Sequence, residues 1–441
     1  MTTLHRALGL RDATLLVISA VIGVGIFFTP ADVARALPHP GLMLAAWMFG
    51  FVLSLAGALA NAELGALFPQ AGGDYVYLRE AYHPIAGFLV GVLSFVAVFS
   101  GTIATLSVGL SAAICGRYNL PASVVPIVAV AIIWLISLAS AQGVRTSAFV
   151  ASATTYLKVL AMLVICILGP VLGRGNVANL SPLLAGAGDN ASGFLAAMPP
   201  ILFSYLGWNV SVYVAGEVKD PERTLPRALL LGLGVCGLTY VAMTAAYLYA
   251  APVDVLAHGK QSPIDVVGTA LFGGWGGTLI FALITVSVIG CLNANVLAGP
   301  RILYAMAQDK LFWSAALRID PATRVPSFAI WIQASIASAL VLILRSFPNV
   351  LQHTTFAIVL ATIADIGALY VFRFRKKDAE RRYRAWGYPV VPFLYVVANV
   401  AIGVSMLIHK RLECGIALLE LLLAVPLYFW FRSRSKPAET K

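Results

Sequence analysis

At residues 23–30 the sequence reads Gly23-Val24-Gly25-Ile26-Phe27-Phe28-Thr29-Pro30, in the middle of a long apolar run. Two glycines one residue apart weaken a helix, and a proline cannot donate a backbone hydrogen bond. A second apolar run contains Pro199-Pro200, followed by Phe203-Ser204-Tyr205-Leu206-Gly207-Trp208-Asn209. Unpaired backbone is costly in hydrocarbon, so such a break survives only where it lines a protein-walled cavity. The sequence therefore predicts two discontinuous helices at one cavity.

The whole chain is too apolar for a water-soluble protein. Of its 441 residues, 60% are hydrophobic and 11% charged, whereas soluble domains average about a quarter charged. A bilayer core about 30 Å thick needs roughly 20 apolar residues in a helix. Twelve such spans are predicted, at 12–37, 42–68, 84–114, 122–140, 147–173, 192–216, 227–251, 268–307, 325–346, 350–372, 389–409 and 412–432. We expect an all-α polytopic membrane protein surrounded by membrane lipid.

The basic residues are distributed unevenly between the two sides of the predicted bundle. On the side of the N-terminus there are 22 lysines and arginines, against seven on the other side and Lys158 within span five. Short cytoplasmic connections are enriched in basic residues, so this bias predicts that both termini are cytoplasmic. The net charge of +11 is explained by topology, and no nucleic-acid partner is expected. The location predicted is a plasma membrane or a bacterial inner membrane.

The two breaks fall at corresponding places in the chain. Spans one and six each begin a set of five, which predicts a first repeat at 12–173, an inverted second repeat at 192–372 and two additional helices at 389–432. Paired interruptions of this kind indicate a binding site at the midplane. The alternative is that the glycines only allow close helix packing.

A broken helix also predicts what the site would bind. The amides that open the second half of the helix suit a carboxylate, and the carbonyls that end the first half suit an ammonium group. We expect the amides of Gly23–Gly25 to hold a carboxylate. The carbonyls of Ile22, Phe203 and Ser204 are expected to hold an amine, so that together they would bind a zwitterion.

Several motifs resemble those of one family. Residues 23–30 resemble the G-S-G-I-F signature of the amino acid–polyamine–organocation superfamily, and residues 71–81 resemble its first cytoplasmic loop. Residues 216–228 and 299–309 are similar to segments of the L-type amino acid transporter branch. The resemblance covers essentially the whole chain. It implies the LeuT-type five-plus-five inverted-repeat fold, sodium-independent amino acid transport, commonly by exchange, and an aromatic gate at Phe203.

Two positions depart from the family pattern. Val24 stands where the family usually has a small polar residue, and Leu206 stands where it often has glycine or a polar residue. Both changes make the expected pocket smaller and drier. An acidic group at position 206 would pair with a cationic side chain, and leucine cannot. We therefore expect small or medium neutral amino acids as substrates.

Lys158 is an ionisable residue near the middle of span five. A lysine there costs roughly 2.5–3.5 kcal/mol to insert, so it needs partners. In the L-type branch, a lysine at this position resembles a built-in cation that replaces sodium. We expect it to contact carbonyls near Gly23 and the hydroxyl of Thr285 or Ser287. A lysine that releases its proton would instead support proton symport, so that alternative stays open.

Other polar residues in the spans have more ordinary interpretations. Tyr240 is expected to support the binding site, as the family position implies, or to be a packed tyrosine. Asn293 and Asn295 are expected to form helix–helix hydrogen bonds. Asp365 and Glu63 are expected to be paired or to act in gating.

The sequence favours a carrier over other functional classes. It has no HExxH or GxSxG motif and no paired carboxylates within one span, so an intramembrane enzyme is not expected. A channel would need a filter motif that is absent. The five cysteines form no CxxC pair, so neither a metal site nor a cofactor is predicted. The sequence around Cys115 does not favour a disulfide-linked single-span subunit, and a monomer is compatible with it. The remaining alternatives are amino acid exchange, uniport and proton-coupled symport of amino acids or amines.

Overall fold

A computed structural model describes residues 6–172, 175–181, 190–259, 263–320, 323, 325–377 and 380–435. Some residues used for the topology prediction, such as Arg174 and Lys260, lie outside these ranges. The described chain is helical, and its α-helices are α1 Leu10–Val21, α2 Gly25–Ala36, α3 Pro40–Leu67, α4 Asp74–Ala81, α5 Pro84–Leu93, α6 Gly101–Arg117, α7 Val125–Ala141, α8 Val144–Val171, α9 Ala191–Tyr205, α10 Val210–Tyr213, α11 Pro221–Ala250, α12 Val253–His258, α13 Pro263–Phe272, α14 Gly276–Ala298, α15 Pro300–Gln308, α16 Ser327–Leu344, α17 Phe347–Arg375, α18 Val390–His409 and α19 Arg411–Ser435.

Most of these helices are long and apolar enough to cross a bilayer. Among the described residues, ten helical stretches pass that test, and the bent pair α1–α2 makes eleven. Their outer faces carry exposed leucines such as Leu135, Leu160 and Leu422, which no soluble protein could leave in water in such number. The chain is therefore an integral, multi-pass membrane protein. The remaining predicted span, span six, contains the shorter apolar helix α9, and the count of twelve stays a prediction.

Two predicted spans are built differently from the expectation. Span three is interrupted by a π-helical stretch, Ser94–Ser100, between α5 and α6. Span eight was expected as one element over 268–307. In the structure it consists of α14 and α15, which meet at Gly299–Pro300. Residues 263–272 form the separate helix α13. Glycine and proline at the junction explain the change, because neither favours a helix interior.

The first break separates α1 from α2, which are bent by 45° with respect to each other. It falls at Ile22–Val24, at the glycine pair, as predicted. Pro30 does not end α2. A proline leaves the carbonyl four residues before it without a donor, and here the Tyr247 hydroxyl donates to that carbonyl, Ile26 O, at 2.9 Å.

The second break follows α9 and lies later than the proline pair suggested. Pro199 and Pro200 are both inside α9, so the prediction that they help to break the helix is wrong. The chain leaves the helix at Leu206 and turns at Gly207, whose φ of +104° favours glycine. A short helix, α10, follows.

The two breaks pack directly against each other. The Thr29 hydroxyl lies 3.0 Å from the Ser204 hydroxyl and donates to Gly25 O at 2.9 Å. A side chain added at Gly25 would place its Cβ 2.6 Å from Ser204 Cα. Only glycine allows the two backbones to come this close.

Candidate binding site between two helix breaks

A small cavity lies between the two breaks. Five of the predicted site residues line it, namely Gly23, Val24, Gly25, Phe203 and Leu206. The other lining residues, which sequence reasoning missed, are Ala20, Val21, Thr102, Leu106 and Cys291. The space open to the centre of a water molecule is about 10 Å³, roughly enough for one water. The cavity is therefore nearly closed in this conformation.

The end of α1 leaves four carbonyls without their usual helical donors. Side chains from three other helices supply donors to all four. The Lys158 ammonium donates to Ser19 O, the Cys291 thiol to Ala20 O, and the Tyr240 hydroxyl to Val21 O. Ile22 O accepts from both Lys158 and Ser287. This end of the break is thus closed by the protein itself.

Ile22 was expected to hold an amine, and the structure gives its carbonyl a different role. Lys158 Nζ lies 2.7 Å and Ser287 Oγ 2.9 Å from Ile22 O. A carbonyl oxygen has two lone pairs, so both are engaged. The carbonyl of Ile22 therefore has no acceptor position left for a ligand.

The amide end of the same break is left open. The Gly23 amide donates back to Val21 O at 2.9 Å. Contrary to the prediction, it is therefore not available to a substrate carboxylate. Within the described part of the chain, the amides of Val24, Gly25 and Ile26 donate to no recorded acceptor. They lie at the first turn of α2, where the helix dipole gives partial positive charge. The arrangement suits a carboxylate.

The end of α9 has the opposite character. Phe203 O accepts from the Leu206 amide at 3.1 Å. For the carbonyl of Ser204, the described residues supply no recorded donor, and Ser204 packs against Gly25 beside the open amides. A helix C-terminus carries partial negative charge. Donor and acceptor groups of the backbone therefore lie side by side at the cavity.

Lys158 is completely buried and joins α8 to α1. Its ammonium lies 2.8 Å from Ser19 O and 2.7 Å from Ile22 O, and its side chain is 0% exposed. Ser287, on α14, binds the same carbonyl. Thr285 does not share this role, because its hydroxyl donates to Phe281 O in its own helix. Residues 285 and 287 point about 200° apart on a helix, so only one of them faces α1.

Phe203 lies within a group of aromatic rings at one side of the cavity. Its ring meets that of Phe347 edge to face, with centroids 6.3 Å apart, and Phe28 lies 5.8 Å from Phe347. Phe203 is 5% exposed. Phe347 begins α17 at the end of the molecule opposite to the N-terminus. The rings thus cover the cavity from that end.

The remaining predicted residues lie behind or away from the cavity. Tyr240 is behind it, with its hydroxyl 2.9 Å from Val21 O. Asn293 receives a hydrogen bond from Ser140 of α7, while the side chain of Asn295 binds Cys291 O in its own helix. Asp365 accepts from the Asn61 amide at 3.0 Å. In the described chain, no group of three or more His, Cys, Asp or Glu residues is placed to hold a metal.

Known proteins match the chain along almost its full length. The family described as amino acid permease matches residues 8–419. The chain belongs to this family. The permease is 30% identical to the serine/threonine exchanger SteT of Bacillus subtilis (strain 168), over 98% of each chain. It is 27% identical to the human b(0,+)-type amino acid transporter 1, over 99% of this chain and 91% of the relative. The mouse Asc-type amino acid transporter 1 is 26% identical, over 98% and 83%. The permease is thus an amino acid transporter and not an enzyme.

The end of the permease that carries the N-terminus is closed by a layer of charged groups. Arg301 and Glu217 are both buried, with Nε and Oε1 2.9 Å apart. Arg79 pairs with Asp309, and the Tyr213 hydroxyl donates to Asp74. Apart from Tyr213, these residues come from the motifs at 71–81, 216–228 and 299–309, which are distant in sequence. The sequence suggested the motifs but not that they form one layer.

Glu63 fixes the segment between α17 and α18 to the end of α3. Its carboxylate lies 2.7 Å from Arg373 and 3.2 Å from Arg381, and it accepts from the Ala385 amide at 2.6 Å. The carboxylate is 1% exposed. Burial, together with the charge of Glu63, raises the pKa of the Tyr383 phenol to about 12, so that phenol is neutral. The pairing expected for Glu63 is therefore present.

Replacing Glu63 by glutamine is expected to destabilise the permease without altering the cavity. The change leaves two largely buried arginines without their carboxylate, and breaking a buried pair costs about 3–5 kcal/mol. Thermal unfolding in detergent should show a clearly lowered midpoint. Glu80→Gln is a suitable control, because Glu80 is 36% exposed in its pair with Arg79 and surface pairs contribute little. Equal midpoints for the two variants would contradict the role assigned to Glu63.

Proposed function

We propose that the permease exchanges small or medium neutral L-amino acids across the membrane, independently of sodium, by alternating access. The observation that supports this function is that hydrogen-bond donors and acceptors of the backbone lie side by side at the same cavity. The open amides of residues 24–26 would bind the substrate carboxylate, and the Ser204 carbonyl beside them would bind the ammonium group. Only a molecule with both groups at one carbon would use both ends.

The lining of the cavity supports a neutral side chain. Val24, Leu106 and Leu206 are apolar, and no charged side chain is among the lining residues described. A charged substrate would be left unpaired there, which is strongly unfavourable. Thr102 supplies a hydroxyl oxygen, whose proton is donated to Val98 O. That oxygen could accept from a substrate hydroxyl, in line with the similarity to a serine/threonine exchanger.

Lys158 supports independence from sodium. Its ammonium already provides a positive charge between α1 and α8, at two carbonyls that a sodium ion could otherwise coordinate. A bound cation beside it would be repelled.

We include in the proposal the twelve spans, the inverted repeats and the cytoplasmic location of both termini.

The closed cavity supports alternating access. Aromatic rings cover one side, at Phe203 and Phe347, and the charged layer around Arg301 and Glu217 closes the other end. Each barrier consists of contacts between separate helices, so each can open without unfolding a helix. We also propose that the permease needs no single-span partner. Cys115, the cysteine considered for such a link, is 3% exposed.

Uptake into proteoliposomes tests the function directly. The purified permease should take up labelled serine or another small neutral amino acid faster when the vesicles contain unlabelled substrate. Replacing external sodium by choline should leave the rate unchanged. Uptake that needs a pH gradient and ignores the internal substrate would instead show proton symport. Competition by the twenty amino acids would rank the substrates, and dominance of arginine or lysine would contradict the neutral specificity.

Replacing Phe203 by alanine is expected to weaken substrate retention. The phenyl ring lines the cavity and contacts Phe347, and its loss would remove roughly 1.5 kcal/mol or more of apolar contact. The apparent KM should rise about tenfold, with faster efflux of preloaded substrate. Phe194→Ala is the matched control, because Phe194 lies on the same helix but packs against Phe49. If both variants keep the wild-type uptake curve, Phe203 is not a gate.

A further inference from the structure

A basic groove lies at the end of the permease that carries the N-terminus, between the first turns of α11 and the segment before α18. It has a volume of about 610 Å³ and is lined by Arg223, Arg227, Arg382 and Arg384. Arg223 and Arg227 are one turn apart and share a face of α11. Glu222, the carboxylate in the lining, is already 2.8 Å from Arg382. Four arginines and one carboxylate leave an excess of three positive charges.

Three of these arginines have no carboxylate partner among the residues that the structure describes. Among the ion pairs of the described residues, none involves Arg223, Arg227 or Arg384. All three are exposed. Like charges grouped in this way repel one another unless an anion lies between them. The groove is therefore suited to an anionic ligand.

The groove also has an apolar wall directly next to the arginines. Leu59, Leu230 and Trp386 contribute to it. Leu230 is 48% and Trp386 80% exposed. Leu230 lies about 4.5 Å along α11 from Arg227. Val390 and Phe393, in the first turn of α18 shortly after Trp386, are also exposed. Charged and apolar surface therefore lie within one helical turn of each other. An exposed tryptophan such as Trp386 is typical of the membrane interface.

We propose that this groove binds an anionic phospholipid. The arginines would hold the headgroup phosphate, for which the guanidinium fork is well shaped, and the acyl chains would lie along Leu230 and Phe393. A free phosphate would use the arginines but gain nothing from the apolar wall. The proposal uses the cytoplasmic orientation proposed above, because anionic lipids are enriched in that leaflet.

A lipid in the groove would connect two parts of the permease. One wall belongs to α11 and the other to residues 382–386, which Glu63 fixes to α3. A ligand that binds the folded protein and not the unfolded chain raises the free energy of unfolding, and this gain grows with the logarithm of the ligand concentration above its Kd. The bound lipid is therefore expected to stabilise the folded permease against heat.

Lipid binding can be measured on the purified full-length permease, without a transport assay. Phosphatidylglycerol added to protein in neutral detergent should raise the thermal midpoint and remain bound in native mass spectrometry. Phosphatidylcholine should do neither. In Arg227→Gln/Arg384→Gln, the apparent affinity for phosphatidylglycerol should fall at least about tenfold. Trp386→Ala should also weaken it, because the apolar wall is shortened.

The matched control is Lys310→Gln/Arg318→Gln, which removes two exposed positive charges outside the groove. That variant should bind phosphatidylglycerol like the wild type. Equal loss in both double variants would overturn the proposal, since the lipid would then respond only to net charge. A full shift with inorganic phosphate alone would also overturn it. Because the readout is binding, a failure here leaves the proposed transport function unaffected, and failed transport leaves the lipid site unaffected.

Discussion

Replacing Lys158 by alanine is expected to reduce amino acid uptake at least about 100-fold while the protein still inserts into the membrane. The ammonium donates to the carbonyls of Ser19 and Ile22 at the end of α1. Ser19 O has lost its helical donor, because the Gly23 amide turns to Val21 O instead. Hydrogen bonds from a charged group contribute about 1.5–3 kcal/mol each, and each 1.36 kcal/mol is a factor of ten. Without them the broken helix would not keep the geometry that exposes the α2 amides.

The variant Lys158→Met tests the effect of the positive charge separately from the effect of side-chain volume. Methionine keeps an unbranched apolar chain in the site but donates no hydrogen bond, so it should be as inactive as alanine. Lys410→Ala is the control for expression and insertion, because Lys410 is exposed at the connection between α18 and α19. Uptake in proteoliposomes, normalised to the amount of inserted protein, provides the measurement. If Lys158→Met transports within about twofold of the wild type, the lysine is only a packed residue.

Replacing Gly25 by alanine is expected to be almost as damaging. The new Cβ would lie 2.5 Å from Ser204 Oγ and 2.6 Å from Ser204 Cα. A backbone atom cannot move aside as a flexible side chain can, so α2 and α9 would have to separate. The open amides and the Ser204 carbonyl would then no longer face one zwitterion. We expect at least about a tenfold loss of transport, since a misplacement of about 1 Å in a binding site is costly.

Gly234→Ala is the matched control for this change. Gly234 lies within α11, and nothing is within 4 Å of the Cβ that alanine would add. Alanine is favoured over glycine in a helix by roughly 0.5–1 kcal/mol, so this variant should fold and transport normally. Wild-type substrate affinity in Gly25→Ala would show that the close approach of the two breaks is not needed for binding.

The positions of the breaks followed from local chemistry only in part. The glycine pair at 23 and 25 predicted the first break because two weak helix formers stood together in lipid. Pro199 and Pro200 suggested a break that the structure places at Leu206–Asn209 instead. A proline removes one donor, and neighbouring groups can replace it within a packed bundle. From sequence alone it could not be known that such a replacement was present.

The partners of the broken backbone were harder to predict. Lys158 was expected to bind carbonyls near Gly23, and it does bind Ile22 O. That Ser287 and not Thr285 joins it depends on the rotation of α14, which the sequence does not define. From the sequence, Cys291 had no predicted role at the site, yet its thiol donates to Ala20 O at 2.8 Å. These contacts join residues more than 130 positions apart in the chain, so only the packed structure shows them.

The hydrogen bond from Tyr247 to Ile26 has a consequence for how the permease would move. Because Pro30 offers no amide, the Tyr247 phenol supplies the donor that the Ile26 carbonyl would otherwise lack, within the first turn of α2 that also carries the open amides. A tilt of α2 alone would break the hydrogen bond between Tyr247 and Ile26. The Ile26 carbonyl would then be buried without a donor. The outer half of the first span and the C-terminal end of α11 are therefore joined, and we expect them to move as one rigid unit when the cavity opens.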